Sequence, residues 1–79
     1  MINIKAHRSI DTRQNFSPYP EIETRDALKA MAKGQVLEVL GDDPVARTTI
    51  VSLCHRLGYF YQVFEEAKGQ WRLLIERTA

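Results

Sequence analysis

Apolar and polar residues alternate at the start of the chain, which predicts a first strand within residues 2–11. The apolar residues that share this period of two are Ile2, Ile4, Ala6 and Ile10. Three later segments are short and rich in β-branched, aromatic or leucine residues, a composition that favours strands. These three predicted strands span residues 35–41, 59–66 and 71–77.

Apolar residues at helical spacing follow the dipeptide Ser17-Pro18. Serine is a good helix cap and proline fits the first helical turn, so we predict a helix over residues 18–33 with Ser17 as its cap. Its apolar stripe consists of Thr24, Ala27, Leu28 and Met31. We expect Gly34 to end the helix as its left-handed cap.

A second helix start lies at Asp42-Asp43-Pro44, where acidic capping residues precede a proline. Gly58 is the predicted end of this helix. Its apolar stripe consists of Ala46, Ile50, Leu53 and Leu57. Cys54 lies beside that stripe, which indicates a position in the core, where a cysteine behaves as a small, unreactive apolar residue.

The predicted order of elements is β-α-β-α-β-β, with a glycine-containing turn at 67–70 joining the last two strands into an antiparallel hairpin. Two amphipathic helices each need a sheet to cover. We therefore predict an α/β (α+β) two-layer sandwich, in which both helices pack on one face of a four-stranded mixed sheet. The length of 79 residues indicates a single domain, residues 1–79.

The composition argues against disulfide bonds, metal binding and a membrane span. One cysteine permits no intrachain disulfide, and His7 and His55 lie too far apart in sequence to suggest a zinc motif. We expect no metal and no cofactor. No apolar stretch approaches the ~20 residues that span a bilayer, and the N-terminal residues lack the apolar centre of a signal peptide. We expect no membrane partner and predict a cytoplasmic protein, in a compartment where a lone thiol stays reduced.

Charge argues against one class of partner. Eleven basic and ten acidic residues give a net charge of +1, and no basic run reaches five residues. Nucleic-acid binders usually carry a basic surplus or stripe, so we do not expect a nucleic-acid partner. A small RNA-binding domain stays the weaker alternative, because two-layer α/β folds can bind RNA.

Two motifs resemble the TusA/SirA sulfur-carrier family. The first begins with Ile10-Asp11-x-Arg13 and continues into Ser17-Pro18-x-Pro20, similar to that family's D-x-R-G followed by C-P-x-P at the start of the first helix. The second is the segment 37–46, similar to the family's strand that ends in D-D-P-x-A. Leu53-Cys54 followed by Gly58 also resembles the end of the family's second helix. The resemblance covers residues 10–77 in one register.

The resemblance implies a protein of sulfur relay, in which the C-P-x-P cysteine accepts a persulfide sulfur from a cysteine desulfurase and passes it to an acceptor protein. A helix N-terminus suits this chemistry because its dipole lowers the pKa of a thiol. The implied partner is accordingly a desulfurase or a sulfur-acceptor protein. The implied site comprises position 17, with Arg13, Pro18 and Pro20 as binding residues.

The chain departs from this pattern where the chemistry takes place. Ser17 cannot form a persulfide, and the sequence shows no base that would make its hydroxyl a nucleophile. Gln14 stands where the family has glycine, and Thr49 and Val51 stand where family members often have Asp and Pro. Gln14 and Asn15 favour natural divergence over an engineered exchange of the cysteine. The fold is expected to be sulfurtransferase-like, and the absence of the family's reactive cysteine argues against enzymatic activity without deciding it.

Simpler roles compete with these functional ones. Ser17 is open to two interpretations, a cap alone or part of a recognition surface at the helix start, and the second would make the chain a protein-interaction or regulatory module. Arg13 could hold an anion, although a solvated arginine is the simpler interpretation. Asp42 and Asp43 are better explained as caps than as metal or acid–base groups.

Overall fold

The computed structural model describes residues 5–78, which form seven elements in the predicted order. The four strands are β1 (Arg8–Asp11), β2 (Val36–Gly41), β3 (Phe60–Glu65) and β4 (Trp71–Glu76). The two helices are α1 (Tyr19–Ala30) and α2 (Pro44–Leu57), and a short 3₁₀ turn (Ala67–Gly69) joins β3 to β4. Of the apolar residues that predicted the first strand, Ile2 and Ile4 lie outside the described residues.

The strands form one sheet in the order β1-β2-β4-β3. β1 is parallel to β2, whereas β2 and β3 are both antiparallel to β4. The predicted mixed sheet and the terminal hairpin are therefore confirmed. The order also places β3 at one edge and β1 at the other.

One core lies between the sheet and the two helices. Both helices contribute to it, as does the sheet face that carries Leu37, Val39, Leu73 and Ile75. The residues from the helices are Ala27, Leu28, Ala46, Ile50 and Cys54. Burial of apolar side chains contributes about 25 cal/mol per Å², so this interface is the main source of stability. The two-layer prediction is confirmed.

The end of α1 differs from the prediction. The helix stops at Ala30, and Met31 is already extended, with φ −95° and ψ 154°. Arg77 holds this end, because its Nη1 donates to the carbonyl oxygens of Leu28, Lys29 and Met31. A guanidinium at a helix C-terminus satisfies free carbonyls and complements the dipole.

Gly34 is consequently not the cap of α1, and the prediction of that role was wrong. It does adopt a left-handed conformation, with φ 91°, but in the turn that leads into β2. Its N–H donates to the carbonyl oxygen of Arg77 at 2.7 Å. Glycine is needed there for the turn, since few other residues adopt such a φ without strain.

The second helix follows its local signals. Asp43 is the N-cap, and its side chain accepts a hydrogen bond from the N–H of Val45. Pro44 is the first helical residue, and Gly58, with φ 74°, closes the helix. The predicted roles of these three residues are confirmed. Both helices thus begin at the same end of the sheet, namely the end at which the parallel strands β1 and β2 finish.

Candidate functional site

The loop between β1 and α1 is anchored at the end of the sheet where both helices begin. Its first residue, Thr12, is fully buried. The backbone N–H and the hydroxyl of Thr12 both donate to the carbonyl oxygen of Leu40, each at 2.7 Å. This double anchor fixes the direction in which the chain leaves the sheet.

Gln14 turns the loop in a left-handed conformation, with φ 72°. A non-glycine residue pays about 1 kcal/mol for this conformation, which explains why the TusA/SirA pattern has glycine here. The N–H of Gln14 donates to both carboxylate oxygens of Asp42, at 3.1 and 3.0 Å. Asp42 therefore does not cap α2, and that part of the prediction was wrong: its carboxylate holds the loop instead.

Ser17 lies just before α1 but is not its cap, contrary to the prediction. The helix begins at Tyr19 with Pro18 in the N-cap position, and no side chain caps it. The hydroxyl of Ser17 instead donates to Oε2 of Glu21 at 2.5 Å. Its backbone N–H donates to Oδ2 of Asp43 at 2.6 Å. Two carboxylates thus accept both donors of Ser17, its hydroxyl and its backbone N–H.

Asp43 connects three parts of the site. Its Oδ1 accepts the N–H of Val45 at 3.1 Å and its Oδ2 accepts the N–H of Ser17, so one carboxylate caps α2 and holds the start of α1. Its backbone carbonyl accepts a hydrogen bond from Nε1 of Trp71 at 3.2 Å. Trp71 also covers Gly41, where a Cβ atom would overlap the indole ring.

Glu21 is the group beside Ser17 that the sequence analysis missed. Its position four residues after Ser17 was the available signal, since residues i and i+4 share a face of a helix. The carboxylate accepts the hydroxyl proton in a hydrogen bond, but it is a weak base for an aliphatic hydroxyl. The pair therefore holds the hydroxyl of Ser17 in place.

Arg13 is engaged within the chain. Its Nε and Nη2 donate to the two carboxylate oxygens of Asp11, at 2.9 and 2.7 Å. The hydrogen bond from Arg13 lowers the pKa of Asp11 to about 2. Both side chains are exposed, so the pair adds little stability. An anion at Arg13 would have to compete with Asp11.

The two prolines of the motif differ in exposure. Pro18 is exposed, whereas Pro20, in the first turn of α1, is buried. The surface at this end of the molecule is therefore formed by Pro18 and by the exposed apolar residues around it. Pro20 contributes to the packing of the helix.

Three large apolar side chains lie exposed around the start of α1. Phe16 is 67% exposed, Tyr19 61% and Ile22 43%. The rings of Phe16 and Tyr19 meet edge to face, with centroids 6.3 Å apart. We call these three residues the aromatic patch. Neighbouring exposed apolar residues of this kind are typical of surfaces that contact another molecule.

Cys54 lies in the last turn of α2, about 15 Å along the helix axis from its start. It is 1% exposed and belongs to the core, as the sequence indicated. Burial raises the pKa of its thiol to about 12. His55 and Arg56 beside it are exposed, and Nε2 of His55 lies 2.7 Å from the hydroxyl of Tyr61. Cys54 is the one cysteine of the chain and is unsuited to nucleophilic chemistry.

Within residues 5–78, no group of three or more His, Cys, Asp or Glu side chains is placed to hold a metal ion. In the same part of the chain, no helix has the length and apolar character needed to cross a bilayer.

Comparison with known proteins identifies the family. A family model described as Sulfurtransferase TusA matches residues 8–77. The chain therefore belongs to the TusA family. This finding confirms the resemblance that the two sequence motifs indicated.

Relatives of similar length support this assignment. A candidate sulfur carrier protein of Thermotoga maritima is 29% identical over 77 residues, which cover 96% of this chain and 98% of the relative. Another, from Archaeoglobus fulgidus, is 30% identical over 70 residues, covering 87% of this chain and 91% of the relative. The crystal structure of a SirA-like protein from Desulfitobacterium hafniense superposes with a TM-score of 0.80 at 25% identity. That match covers 91% of this chain and 99% of the other.

Proposed function

We propose that this member of the TusA family acts in sulfur relay as a divergent homologue that carries no persulfide itself. The observation that carries the proposal is the place of Ser17, at the start of α1 where the family signature has its reactive cysteine. A hydroxyl oxygen cannot take the place of the sulfur that bonds a transferred sulfur atom. The remaining thiol, Cys54, is buried and has a raised pKa.

The rest of the site supports the proposal that this chain retains the TusA loop and helix arrangement but lacks the sulfur atom that would accept the transferred sulfur. The loop is held by Asp42 and Asp43, and position 17 lies beside the first turn of a helix. A thiol there would face the positive end of the helix dipole, which lowers a thiol pKa, and also the carboxylate of Glu21, which opposes that effect. The proposal includes a single domain in the cytoplasm, and a desulfurase or sulfur-acceptor protein as the partner.

Mass spectrometry after incubation with a cysteine desulfurase and cysteine tests the proposal. We expect wild-type protein to gain no sulfur and the Ser17→Cys variant to gain one sulfur atom, located at position 17 by peptide mapping. A Ser17→Cys/Cys54→Ala variant controls for the second thiol. Sulfur on Cys54 of the wild-type protein would contradict the proposal.

A second candidate function is a non-catalytic interaction module that binds proteins of the relay through the start of α1. The aromatic patch favours this function, because its apolar area is exposed beside Ser17. Absence of sulfur on both wild-type protein and the Ser17→Cys variant would favour this candidate over a sulfur carrier that has lost only its reactive cysteine. Binding to the desulfurase should then survive Cys54→Ala and be lost in a Phe16→Ala/Tyr19→Ala variant.

A further inference from the structure

The outer face of α1 carries a groove beside the aromatic patch. It is lined by Asn15, Tyr19, Ile22, Glu23 and Asp26. Its apolar walls are Tyr19 and Ile22, and its acidic rim is formed by Glu23 and Asp26. We call this feature the acidic groove. It begins two residues from Ser17, so an occupant would lie against the start of the helix.

The charges of the groove are of one sign. No lysine or arginine lines it among the described residues. The side chain of Glu23 makes no ion pair or hydrogen bond within that part of the chain, and Asp26 meets only Arg25, at 3.9 Å in an exposed contact. Such a contact is worth little and leaves Asp26 available to a partner.

The neighbouring loop strengthens this negative character. Asp43 and, on α1 itself, Glu21 accept hydrogen bonds from backbone or hydroxyl groups, and Asp42 accepts the N–H of Gln14 while also lying within the field of Arg13. The nearby Arg13 is neutralised by Asp11. This end of the molecule is therefore acidic, although the whole chain has a net charge of +1. A local field of this kind selects partners by charge.

We propose that the acidic groove binds a basic protein segment, one in which an apolar side chain is flanked by lysine or arginine. The apolar side chain packs on Tyr19 and Ile22, and the flanking cations pair with Glu23 and Asp26. This inference rests on the proposed function, since it names the chemistry of the partner that docks beside Ser17.

Charge also separates this occupant from the others. A second copy would bring the same acidic rim to a two-fold contact, where like charges repel. Phosphates of a nucleic acid or of an anionic lipid surface would be repelled in the same way. A basic segment with a central apolar side chain can pack against the apolar walls and pair with the acidic rim.

Fluorescence anisotropy with labelled synthetic peptides tests the inference. The first probe is a peptide with Leu-Phe at its centre and two lysines on each side. The second replaces every lysine with glutamate, and the third replaces Leu-Phe with Ser-Gly. We expect the first peptide to bind the wild-type chain, with an affinity that falls as salt is raised. The acidic peptide should not bind, and the Ser-Gly peptide should bind more weakly.

Variants of the chain locate the binding. Glu23→Gln/Asp26→Asn should weaken binding of the basic peptide by about tenfold, and Tyr19→Ala by a similar factor. Glu76→Gln removes a carboxylate at the opposite end of β4 and should change nothing. Equal binding of the acidic peptide or of single-stranded RNA, or no effect of the groove variants, would overturn the inference. Since the assay involves no sulfur transfer, its outcome is separate from that of the desulfurase experiment.

Discussion

Ser17 and Cys54 lie at opposite ends of the helical layer, and their surroundings differ in exposure and in hydrogen bonding. Ser17 is partly exposed at the start of α1, and its polar groups are hydrogen bonded to two carboxylates. Cys54 lies in the last turn of α2, is buried in apolar contacts, and has a raised pKa. The comparison teaches that position decides the state of a thiol in this fold: the thiol of Cys54 is buried in the core, and that burial raises its pKa.

The largest expected effect comes from moving a thiol into the open position. We expect the thiol introduced by Ser17→Cys to react with a maleimide about a thousandfold faster than Cys54 of the native wild-type chain. The reason is that an ordinary thiol has a pKa near 8.5, whereas burial raises the pKa of Cys54 to about 12 and also shields it from the reagent. The reaction is followed by mass spectrometry. In denaturant both thiols should react alike, and equal rates in the native state would remove the contrast.

The burial of the Cys54 thiol should also make the folded chain less stable at alkaline pH. Below about pH 8.5 both folded and unfolded chains hold the neutral Cys54 thiol, so its contribution is complete. As pH rises from there towards 12, ionisation stabilises only the unfolded chain. We expect the free energy of unfolding, relative to Cys54→Ala, to fall by about 1.4 kcal/mol per pH unit in this window. Urea unfolding of both proteins across the window measures it, and a constant difference would contradict it.

Asp42 and Asp43, which hold the loop before α1, should differ in how much each contributes to the free energy of unfolding. Asp43→Ala removes the cap of α2 and the acceptor for Ser17, so we expect a loss of about 2 kcal/mol. Asp42→Ala removes only the exposed acceptor for Gln14, and a loss of about 0.5 kcal/mol is expected. Thermal unfolding compares the two. Asp43→Asn should recover only about half of this loss, because its one amide oxygen can cap α2 while its NH₂ group cannot accept the N–H of Ser17.

The smallest effect is expected at the turn of the loop. Gln14→Gly relieves a left-handed backbone conformation, and we expect a gain of about 0.5 kcal/mol after the extra entropy of the unfolded chain is subtracted. Gln14→Ala has the same backbone restriction and should bring no gain. Chemical denaturation distinguishes the two variants, and equal stability would show that the conformation is not strained.

The sequence predicted most accurately what is decided by neighbouring residues. The start of α2 at Asp43-Pro44 and its end at Gly58 depend on hydrogen bonds within a few residues, and both predictions are confirmed. The order of the elements and the shared face of the helices followed from apolar periodicity in the same way.

The errors lie where distant residues compete with local preference. α1 ends before Gly34 because Arg77, 46 residues from Met31 in sequence, supplies the group that holds its carbonyls. Ser17 lies one residue before the N-cap position of α1, its hydroxyl donates to Glu21, and Asp43 from the next loop holds its backbone N–H. The aromatic patch could not be foreseen either, since periodicity alone does not tell which aromatic residues the sheet leaves uncovered.

The contact between Trp71 and Asp43 gives the molecule an optical property. Trp71 is the single tryptophan of the chain and is 2% exposed, and its indole N–H is bonded to the residue that also holds Ser17. Its fluorescence therefore comes from one known environment at the end of the sheet where both helices begin. Emission wavelength and quenching of this one indole would report both global unfolding and a disturbance of the Ser17 loop, with no label attached.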